Sequence, residues 1–338
     1  FIFMRLYLLT CLVFLVFFQL IYYGIKERSI DNRFLLVDLF AFNASGLGNM
    51  IFEFIGAFAL AKKLNRTLVV HRNVHEKFLK KYPEFMNLIQ STRSNLPSLI
   101  VPFGKVYDYR SFHCCRFNPD WKWIDSPSKL ISLRVQYLQS FKYFETLTLK
   151  EIRQLLSVDL EHKKIARDGL LNISMLNQFD HKLCVHSRRG DFLTSYEQAP
   201  STEAFTVPAV TYLLKNLKSV VNRPLVIMIG DDLRWQNQIV KRFEKNVDYV
   251  ILPRSPITKS VSVDWQFSEM YCDTVLLTAS ASSFGWWLAY LSKGQRVYYN
   301  SLYGKEDRFE NHLDPDDFFP HFWTSLELDK SQIIKRAF

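Results

Sequence analysis

Glycine and proline are scarce in this sequence, with 11 and 12 among 338 residues, and no repeat or low-complexity stretch is present. A collagen-like or disordered chain would be rich in both and poor in apolar residues. Instead, 48% of the residues are hydrophobic and 15% are aromatic. The composition therefore excludes a disordered or fibrous protein. It predicts a globular protein with a large core and room for more than one domain.

Long uncharged runs are also lacking, apart from residues 6–23 (LYLLTCLVFLVFFQLIYY). A helix of roughly 20 apolar residues crosses a bilayer. A cleaved signal peptide usually has a shorter apolar region and small residues at the cut site. This run ends in Ile21, Tyr22 and Tyr23, which suit a membrane interface. The sequence predicts a short tail and a transmembrane helix within residues 1–28, with everything after it on one side of the membrane.

Cysteines are few, and one of the five lies inside the predicted anchor. The others are Cys114, Cys115, Cys184 and Cys272. Their spacing does not suggest zinc, and one or two disulfides would fit a secretory compartment, with three full pairings open. N-glycosylation sequons begin at Asn43, Asn65 and Asn172. These sequons fit a lumenal location for the globular part.

Acidic residues are outnumbered, 33 against 43 basic ones, so the formal net charge is +10. The positive charges are scattered along the chain and form no block. A basic globule favours an anionic partner, and an anchored lumenal protein rarely meets nucleic acid. The charge balance therefore indicates a smaller anion, such as a nucleotide diphosphate, and no nucleic-acid partner.

The first lobe, assigned to residues 29–170, opens on a pattern typical of a parallel sheet. A predicted strand over 34–42 is followed by a tight turn, a helix over 50–64 and a strand over 67–71. The stretch from 75 to 150 is aromatic and irregular, and we assign it to the same lobe. A helical region over 146–168 then leads into the second lobe.

The second lobe, assigned to residues 171–338, alternates strands with helices. Strands are predicted over 183–186, 225–229, 249–252, 275–278 and 296–299, the last of them ending the sheet. The intervening segments have helical periodicity. This alternation predicts an α/β fold with a Rossmann-like, doubly wound sheet, whose ligand lies at the carboxyl ends of the strands.

The segment His186-Ser187-Arg188-Arg189-Gly190-Asp191 leaves a predicted strand and enters a loop. Two adjacent arginines are costly there unless they meet anions or water, and the guanidinium fork matches phosphate oxygens. Asp191 is placed to hold one guanidinium, and His186 is either a base or a packed core histidine. The alternative for the arginines is a surface ion pair of little energetic value. The pattern favours a diphosphate site.

Three further turns follow predicted strands and precede helices. Backbone N–H groups at such turns bind anions, although a serine or aspartate there also serves as a simple helix cap. The turn at Asp231 and Asp232 has a third reading, since paired aspartates bind a metal, a base or a ribose. The residues of interest are Gly46, Gly48 and Asn49 in the first turn, Asp231 and Asp232 in the second, and Ser282, Ser283 and Phe284 in the third.

The motifs occur in the order G-L-G-N, H-x-R-R-G-D, G-D-D and S-S-F-G-W-W. In that order they resemble the galactoside 2-alpha-L-fucosyltransferases, glycosyltransferase family 11, over residues 44–300. The resemblance implies a two-lobed GT-B-like fold, a single-pass type II Golgi anchor and a lumenal catalytic part. It also implies inverting transfer of fucose from GDP-fucose to the 2-hydroxyl of a galactose-terminated glycan. No metal or other cofactor is implied as obligatory, and a homodimer stays open.

The resemblance assigns roles to these turns. Arg188 and Arg189, or one of them with the other structural, would bind the diphosphate and offset charge on the leaving phosphate. The two aspartates of the second turn would contact guanine or ribose. The third turn would add hydrogen bonds to the donor, and the first would line the cleft. The base for the acceptor hydroxyl stays open among Asp191, His186 and Glu53.

Two departures from the family pattern accompany the resemblance. Met50-Ile51-Phe52-Glu53 stands where relatives usually have Gln-Met-Phe-Gln, which bears on acceptor choice, and Gly285 stands where they usually have serine. Two alternative functions stay open beside the main prediction. One is an O-fucosyltransferase or alpha-1,6-type enzyme, and the other is a catalytically silent anchored glycan-binding protein.

Overall fold

The structure is a computed structural model. It describes residues 33–39, 46–94, 105–109, 114–124, 126–217, 221–253, 262–305, 312–330 and 332–335. The predicted anchor and the sequon at Asn43 lie outside these residues. Within the described ranges, no helix is both long and apolar enough to cross a membrane.

The first sheet has four parallel strands in the order β2-β1-β4-β3. They are β1 (Phe34–Leu39), β2 (Thr67–Val70), β3 (Lys105–Tyr109) and β4 (Leu130–Val135). The predicted strand–helix–strand unit is confirmed, with the connecting helix α1 at Leu47–Lys63. Strands β3 and β4 come from the aromatic stretch that showed no clear pattern in the sequence.

Shorter helices make up much of the rest of the first lobe. They are α2 (Arg72–Lys81), α3 (Met86–Gln90), α4 (Leu149–Leu155), α5 (Leu160–Lys164) and α6 (Ile173–Leu176). The single helical region predicted over 146–168 is broken into α4 and α5, and α5 continues as a π-helical turn, Ile165–Gly169. The break coincides with a local signal, because the side chain of Asp159 accepts the N–H of His162 and so caps a new helix start at α5.

The second sheet has seven strands in the order β11-β10-β9-β8-β5-β6-β7. They are β5 (His181–Ser187), β6 (Pro224–Gly230), β7 (Asp248–Ile251), β8 (Thr274–Leu277), β9 (Arg296–Asn300), β10 (Thr324–Asp329) and β11 (Gln332–Lys335). All pairs are parallel except β10 with β11. The predicted doubly wound sheet is confirmed, but β9 does not end it.

Helices connect the strands of this second sheet. They are α7 (Gly190–Thr194), α8 (Glu203–Leu217), α9 (Leu233–Ile239), α10 (Ser262–Tyr271), α11 (Ser283–Tyr290) and α12 (Pro315–Phe318). Helix α11 is hydrophobic along most of its length, and Trp286 and Trp287 in its middle are fully buried. A helix with no polar face belongs in an interior, and α11 lies where the two lobes meet.

Strand order reverses once in each sheet. In the first, the chain passes from β1 to β2 and later returns to place β4 on the other side of β1. In the second, β5 is followed by β6 and β7 on one side, and the chain then returns to place β8 on the other. Ligands of open α/β sheets bind in the crevice at such reversals. The fold thus marks two places, the carboxyl ends of β1 and β4 and those of β5 and β8.

An aromatic cluster joins the lobes where α1 meets α11. Phe52 of α1 lies 4.7 Å from Trp286 and 4.9 Å from Trp287, measured between ring centroids. Phe144 stacks on Trp287 at 5.5 Å. Since each of these side chains is fully buried, the cluster fixes how α1 of the first lobe sits against α11 of the second.

The four cysteines outside the predicted anchor form two disulfides, a pairing that the sequence did not decide. One joins the adjacent residues Cys114 and Cys115, and the other joins Cys184 to Cys272. The second connects β5 to the end of α10 and is fully buried. It therefore links the strand that leads into the arginine segment to a helix packed between the lobes.

Candidate active site

The arginine segment lies at the carboxyl end of β5, beside the end of β8. His186 pairs with Leu277 in the parallel ladder, and its carbonyl accepts a hydrogen bond from the N–H of Thr278 at 3.1 Å. The turn that begins α11 follows β8 directly. Two of the motifs found in the sequence are therefore brought to the strand-order reversal of the second sheet.

Arg188 is held between two carboxylates and keeps part of its surface open. Its guanidinium lies 2.8 Å from Asp191 and 3.1 Å from Asp231, and 33% of its side chain is exposed. The side chain of Asp191 is 67% exposed, whereas that of Asp231 is 15% exposed. An incoming anion would therefore compete with the exposed Asp191 carboxylate for Arg188.

Arg189 is more deeply anchored than Arg188. Its Nε donates to Asp232 at 3.1 Å, its Nη1 donates to the carbonyl of Ser201 at 2.7 Å, and its guanidinium lies 4.9 Å from the ring centroid of Trp235. Ion pair and cation–π contact both restrain the guanidinium plane. Arg189 thus supports the loop and adds positive charge beneath it.

Ser201, which the sequence did not single out, ties this loop to the neighbouring strand. Its hydroxyl accepts the backbone N–H of Arg188 at 3.0 Å and lies 2.6 Å from the hydroxyl of Thr278. Thr278 in turn donates to the carbonyl of His186 at 2.8 Å. Because Ser201 and Thr278 are fully buried, these hydrogen bonds fix the loop against the end of β8.

Asp231 and Asp232 are turned toward the arginine loop. Asp231 accepts the backbone N–H of Arg189 at 2.9 Å, and Asp232 accepts the N–H of Trp235 at 2.9 Å while it pairs with Arg189. Capping and arginine positioning thus occupy these carboxylates. A contact to guanine or ribose stays a prediction. Among the described residues, no group of three or more histidine, cysteine or acidic side chains is arranged to hold a metal ion.

The start of α11 supplies N–H groups beside the arginines. Ser282 caps the helix by accepting the N–H of Gly285 at 3.2 Å, and it is almost fully buried. Ser283 and Phe284 are half-buried in the first turn. A helix N-terminus carries roughly half a positive charge. This end of α11 therefore favours an anion at the same crevice.

The start of α1 meets the start of α11 across the two lobes. Trp287 donates its indole N–H to the carbonyl of Gly48 at 3.1 Å. A Cβ at Gly48 would lie 2.6 Å from the carbonyl carbon of Ser283 and 2.7 Å from the nitrogen of Phe284, so only glycine fits. Gly46 is exposed and Asn49 half-buried at the same helix start. Two helix N-termini thus converge near the arginine loop.

His186 is packed beneath this helix start. Its side chain is 1% exposed, and its Nδ1 makes no hydrogen bond with a described residue. A Cβ at Gly285 would lie 2.4 Å from that atom, so the glycine makes room for the ring. Burial, and secondarily the charge of Arg188, lowers the pKa of His186 to about 3. The side chain is therefore a neutral imidazole at physiological pH.

Burial of His186 predicts a loss of stability in acid. The unfolded chain binds a proton near the ordinary pKa of about 6.5, while the folded chain stays neutral down to about pH 3. Between these values the unfolded state holds the extra proton. This residue should then lower the free energy of unfolding by up to about 1.4 kcal/mol per pH unit as pH falls. Denaturant titrations of wild type and His186→Leu between pH 7 and 4 measure the difference.

The matched control for this prediction is His321→Leu, since His321 is exposed. The His186 variant should show the shallower pH dependence, and the His321 variant should follow wild type. An equal slope in all three proteins would contradict a neutral, buried His186.

The three candidates for the general base differ in how accessible their side chains are to an acceptor hydroxyl. Glu53 is fully buried and accepts the backbone N–H of Tyr137 at 2.7 Å. His186 is enclosed as described above. Asp191 is the exposed carboxylate of the three, at the rim of the arginine loop. A general base must reach the acceptor hydroxyl, and access favours Asp191.

The chain is similar to known glycosyltransferases over most of its length. The family model described as Glycosyl transferase family 11 matches residues 71–327. A galactoside 2-alpha-L-fucosyltransferase of Caenorhabditis elegans is 29% identical over 92% of this chain and 85% of its own length. Galactoside alpha-(1,2)-fucosyltransferase 2 of Pongo pygmaeus is 23% identical over 88% of this chain and 82% of its own length. A crystal structure of POFUT1 in complex with GDP superposes with a TM-score of 0.45 at 12% identity, covering 80% of this chain and 99% of that one.

Proposed function

Because the chain belongs to glycosyl transferase family 11, we propose that it is an inverting galactoside 2-alpha-L-fucosyltransferase with GDP-fucose as donor. The observation that carries the proposal is the arginine loop at the β5/β8 crevice, next to the converging N-termini of α1 and α11. Two guanidinium groups and two helix starts suit a ligand with two negative phosphates. The names of the relatives support fucose as the transferred sugar and a galactoside as the acceptor.

In the proposed reaction, the 2-hydroxyl oxygen of galactose attacks C1 of fucose from the side opposite the leaving group. The bond between C1 and the β-phosphate oxygen breaks, and GDP leaves. Arg188, whose side chain is partly exposed, offsets the charge that develops on that phosphate. Arg189 holds the loop that carries Arg188 through its hydrogen bond to the carbonyl of Ser201. The hydroxyl proton goes to Asp191, an exposed carboxylate that the incoming phosphate displaces from Arg188 and so frees to reach the opposite face of the fucose.

We further propose that the protein is a single-pass type II Golgi membrane protein with its catalytic part in the lumen. The uncharged run at residues 6–23 supports this, together with the two disulfides and the exposed sequon asparagines Asn65 and Asn172. Disulfides persist in oxidising compartments. Immunofluorescence and protease protection of the full-length chain test the location and the orientation.

Lys305 offers a separate test of the donor site. Its Nζ donates to the carbonyls of Phe192, Leu193 and Ser195. It thus caps the carboxyl end of α7, the helix that follows the arginine loop. Lys305→Met should loosen α7 and raise the KM for GDP-fucose several-fold, with a smaller effect on kcat. Lys293→Met, which removes a surface ion pair to Asp273, should leave both constants unchanged. Equal donor KM values in the two variants would contradict this role for Lys305.

A transfer assay tests the proposed function. The protein is incubated with GDP-fucose and either a methyl galactoside or its 2-deoxy analogue, with GDP-mannose and UDP-galactose as alternative donors. We expect fucose transfer to the galactoside and none to the 2-deoxy compound. Transfer to a peptide serine or threonine would support an O-fucosyltransferase instead, and absence of GDP-fucose binding would support a catalytically silent protein.

A further inference from the structure

The loop after β4 has a backbone conformation that large residues rarely adopt. Tyr137 and Leu138 have φ angles of 70° and 46°, in the left-handed region. The other described non-glycine residues with positive φ are isolated in the chain: Asn65, Gln295 and Lys330. Each such residue costs about 1–3 kcal/mol, and it persists only where the surroundings hold it. Two in succession therefore need an explanation.

Helix α1 holds this turn at two points. The buried carboxylate of Glu53 accepts the backbone N–H of Tyr137 at 2.7 Å. One helical turn later, Gly56 gives space to Leu138, because a Cβ there would lie 3.2 Å from its Cδ1. A buried carboxylate and a mid-helix glycine are both unfavourable in themselves. Since both fit the same turn, the turn is a built feature of the first lobe.

The turn lies at the crevice of the first sheet. It follows β4, at the strand-order reversal between β1 and β4. Glu53 is five residues after Gly48, so it lies roughly 7.5 Å farther along α1 at 1.5 Å per residue. Gly48 itself touches Ser283 at the start of α11. The turn therefore lies in the first lobe, about 7.5 Å along α1 from the point where that helix meets the start of α11.

The two side chains of the turn have different surroundings. Leu138 is 3% exposed and belongs to the core, whereas Tyr137 is half-buried. A tyrosine presents an apolar ring face together with a polar hydroxyl. A pyranose presents the matching surfaces, with C–H groups on one face and hydroxyls around its edge.

We propose that this turn is the acceptor subsite, in which Tyr137 contacts the galactose and Glu53 and Gly56 are positioning residues. The proposal rests on the proposed function for its choice of sugar. It assigns Glu53 to holding the turn instead of removing a proton. It also explains why two successive residues with positive φ are kept after β4.

Substitution of Tyr137 by glycine tests the contact. Glycine suits the left-handed conformation, so Tyr137→Gly should fold at least as well as wild type while losing the ring. We expect the KM for the galactoside to rise at least roughly tenfold, as for loss of an aromatic anchor, with the KM for GDP-fucose unchanged. Lys330→Gly relieves a positive φ between β10 and β11 and should change neither constant.

Two substitutions of Glu53 test the positioning role. Glu53→Gln keeps an oxygen that accepts the Tyr137 N–H and should have a galactoside KM close to that of wild type. Glu53→Leu removes the acceptor and should raise that KM while donor KM stays constant. A base would behave differently, because Glu53→Gln would then abolish kcat. Such a loss, or an unchanged galactoside KM in Tyr137→Gly, would overturn the proposal.

Failure of the proposed function is recognised separately. If the wild-type protein transfers no fucose to galactosides, galactoside binding is measured directly by saturation-transfer NMR. Binding to wild type that is lost in Tyr137→Gly would support the subsite without the reaction. Equal binding to both proteins, or none to wild type, would overturn it.

Discussion

Arg188→Lys should lower kcat for fucosyl transfer on the order of 10²-fold, with the fold intact. Lysine keeps the positive charge but lacks the planar fork that pairs with two oxygens at once. Arg188 currently contacts Asp191 and Asp231 through both terminal nitrogens, an arrangement that a single ammonium cannot reproduce. Steady-state kinetics with saturating GDP-fucose and galactoside measure the loss, and circular dichroism checks the fold.

The comparison variants carry the same arginine-to-lysine substitution at two other positions. Arg242→Lys alters an exposed ion pair with Glu203 and should leave kcat unchanged, since exposed pairs contribute little. Arg189→Lys should reduce both kcat and thermal stability, because Arg189 also contacts Asp232, Ser201 and Trp235. Wild-type kcat in both Arg188→Lys and Arg189→Lys would contradict the assignment of this loop to the donor diphosphate.

Trp287→Ala should cost about 3–5 kcal/mol of unfolding free energy, the range for buried tryptophan truncation. Trp287 is fully buried, lies against Phe52 and Phe144, and donates to the carbonyl of Gly48. Its loss opens a cavity at the junction of the two lobes and frees the start of α1. Denaturant unfolding gives the cost, and donor KM reports the displaced helix start.

Trp287→Phe separates packing from the hydrogen bond. Phenylalanine keeps one ring in the aromatic cluster and loses the indole N–H that binds Gly48, so we expect a cost of about 1–2 kcal/mol. If Trp287→Ala lowered the free energy of unfolding by no more than Trp287→Phe does, the aromatic cluster would not couple the lobes. Tyr249→Ala, at an exposed aromatic residue, provides a baseline for aromatic truncation.

Much of the fold was predictable from the periodicity of apolar residues and from the alternation of strands with helices along the chain. Strands β5, β6 and β8 are buried apolar runs that end in polar turns, so hydrophobic pattern and turn residues indicated the same elements. Strands β10 and β11 were missed because their hairpin lies at the sheet edge and mixes polar with apolar residues. Strand β3 is short and largely exposed, and it left no apolar signature either.

The site was predictable only in part, for a related reason. Adjacent arginines at a strand end are chemically conspicuous, so Arg188 and Arg189 could be selected from residue type alone. Ser201 and Lys305 act through backbone carbonyls and hydroxyls, and nothing in their local sequence distinguishes them from surface residues. The pairing of Glu53 with Tyr137 spans 84 positions, and only the fold brings them together.

The most direct test of the proposed activity is the structure of its product. The protein, GDP-fucose and a methyl galactoside are incubated together, and the product is analysed by two-dimensional NMR. We predict one new fucose with an alpha anomeric configuration and a through-bond correlation from its C1 to O-2 of the galactose. Fucose on any other galactose hydroxyl, a beta anomer, or free fucose alone would contradict the account.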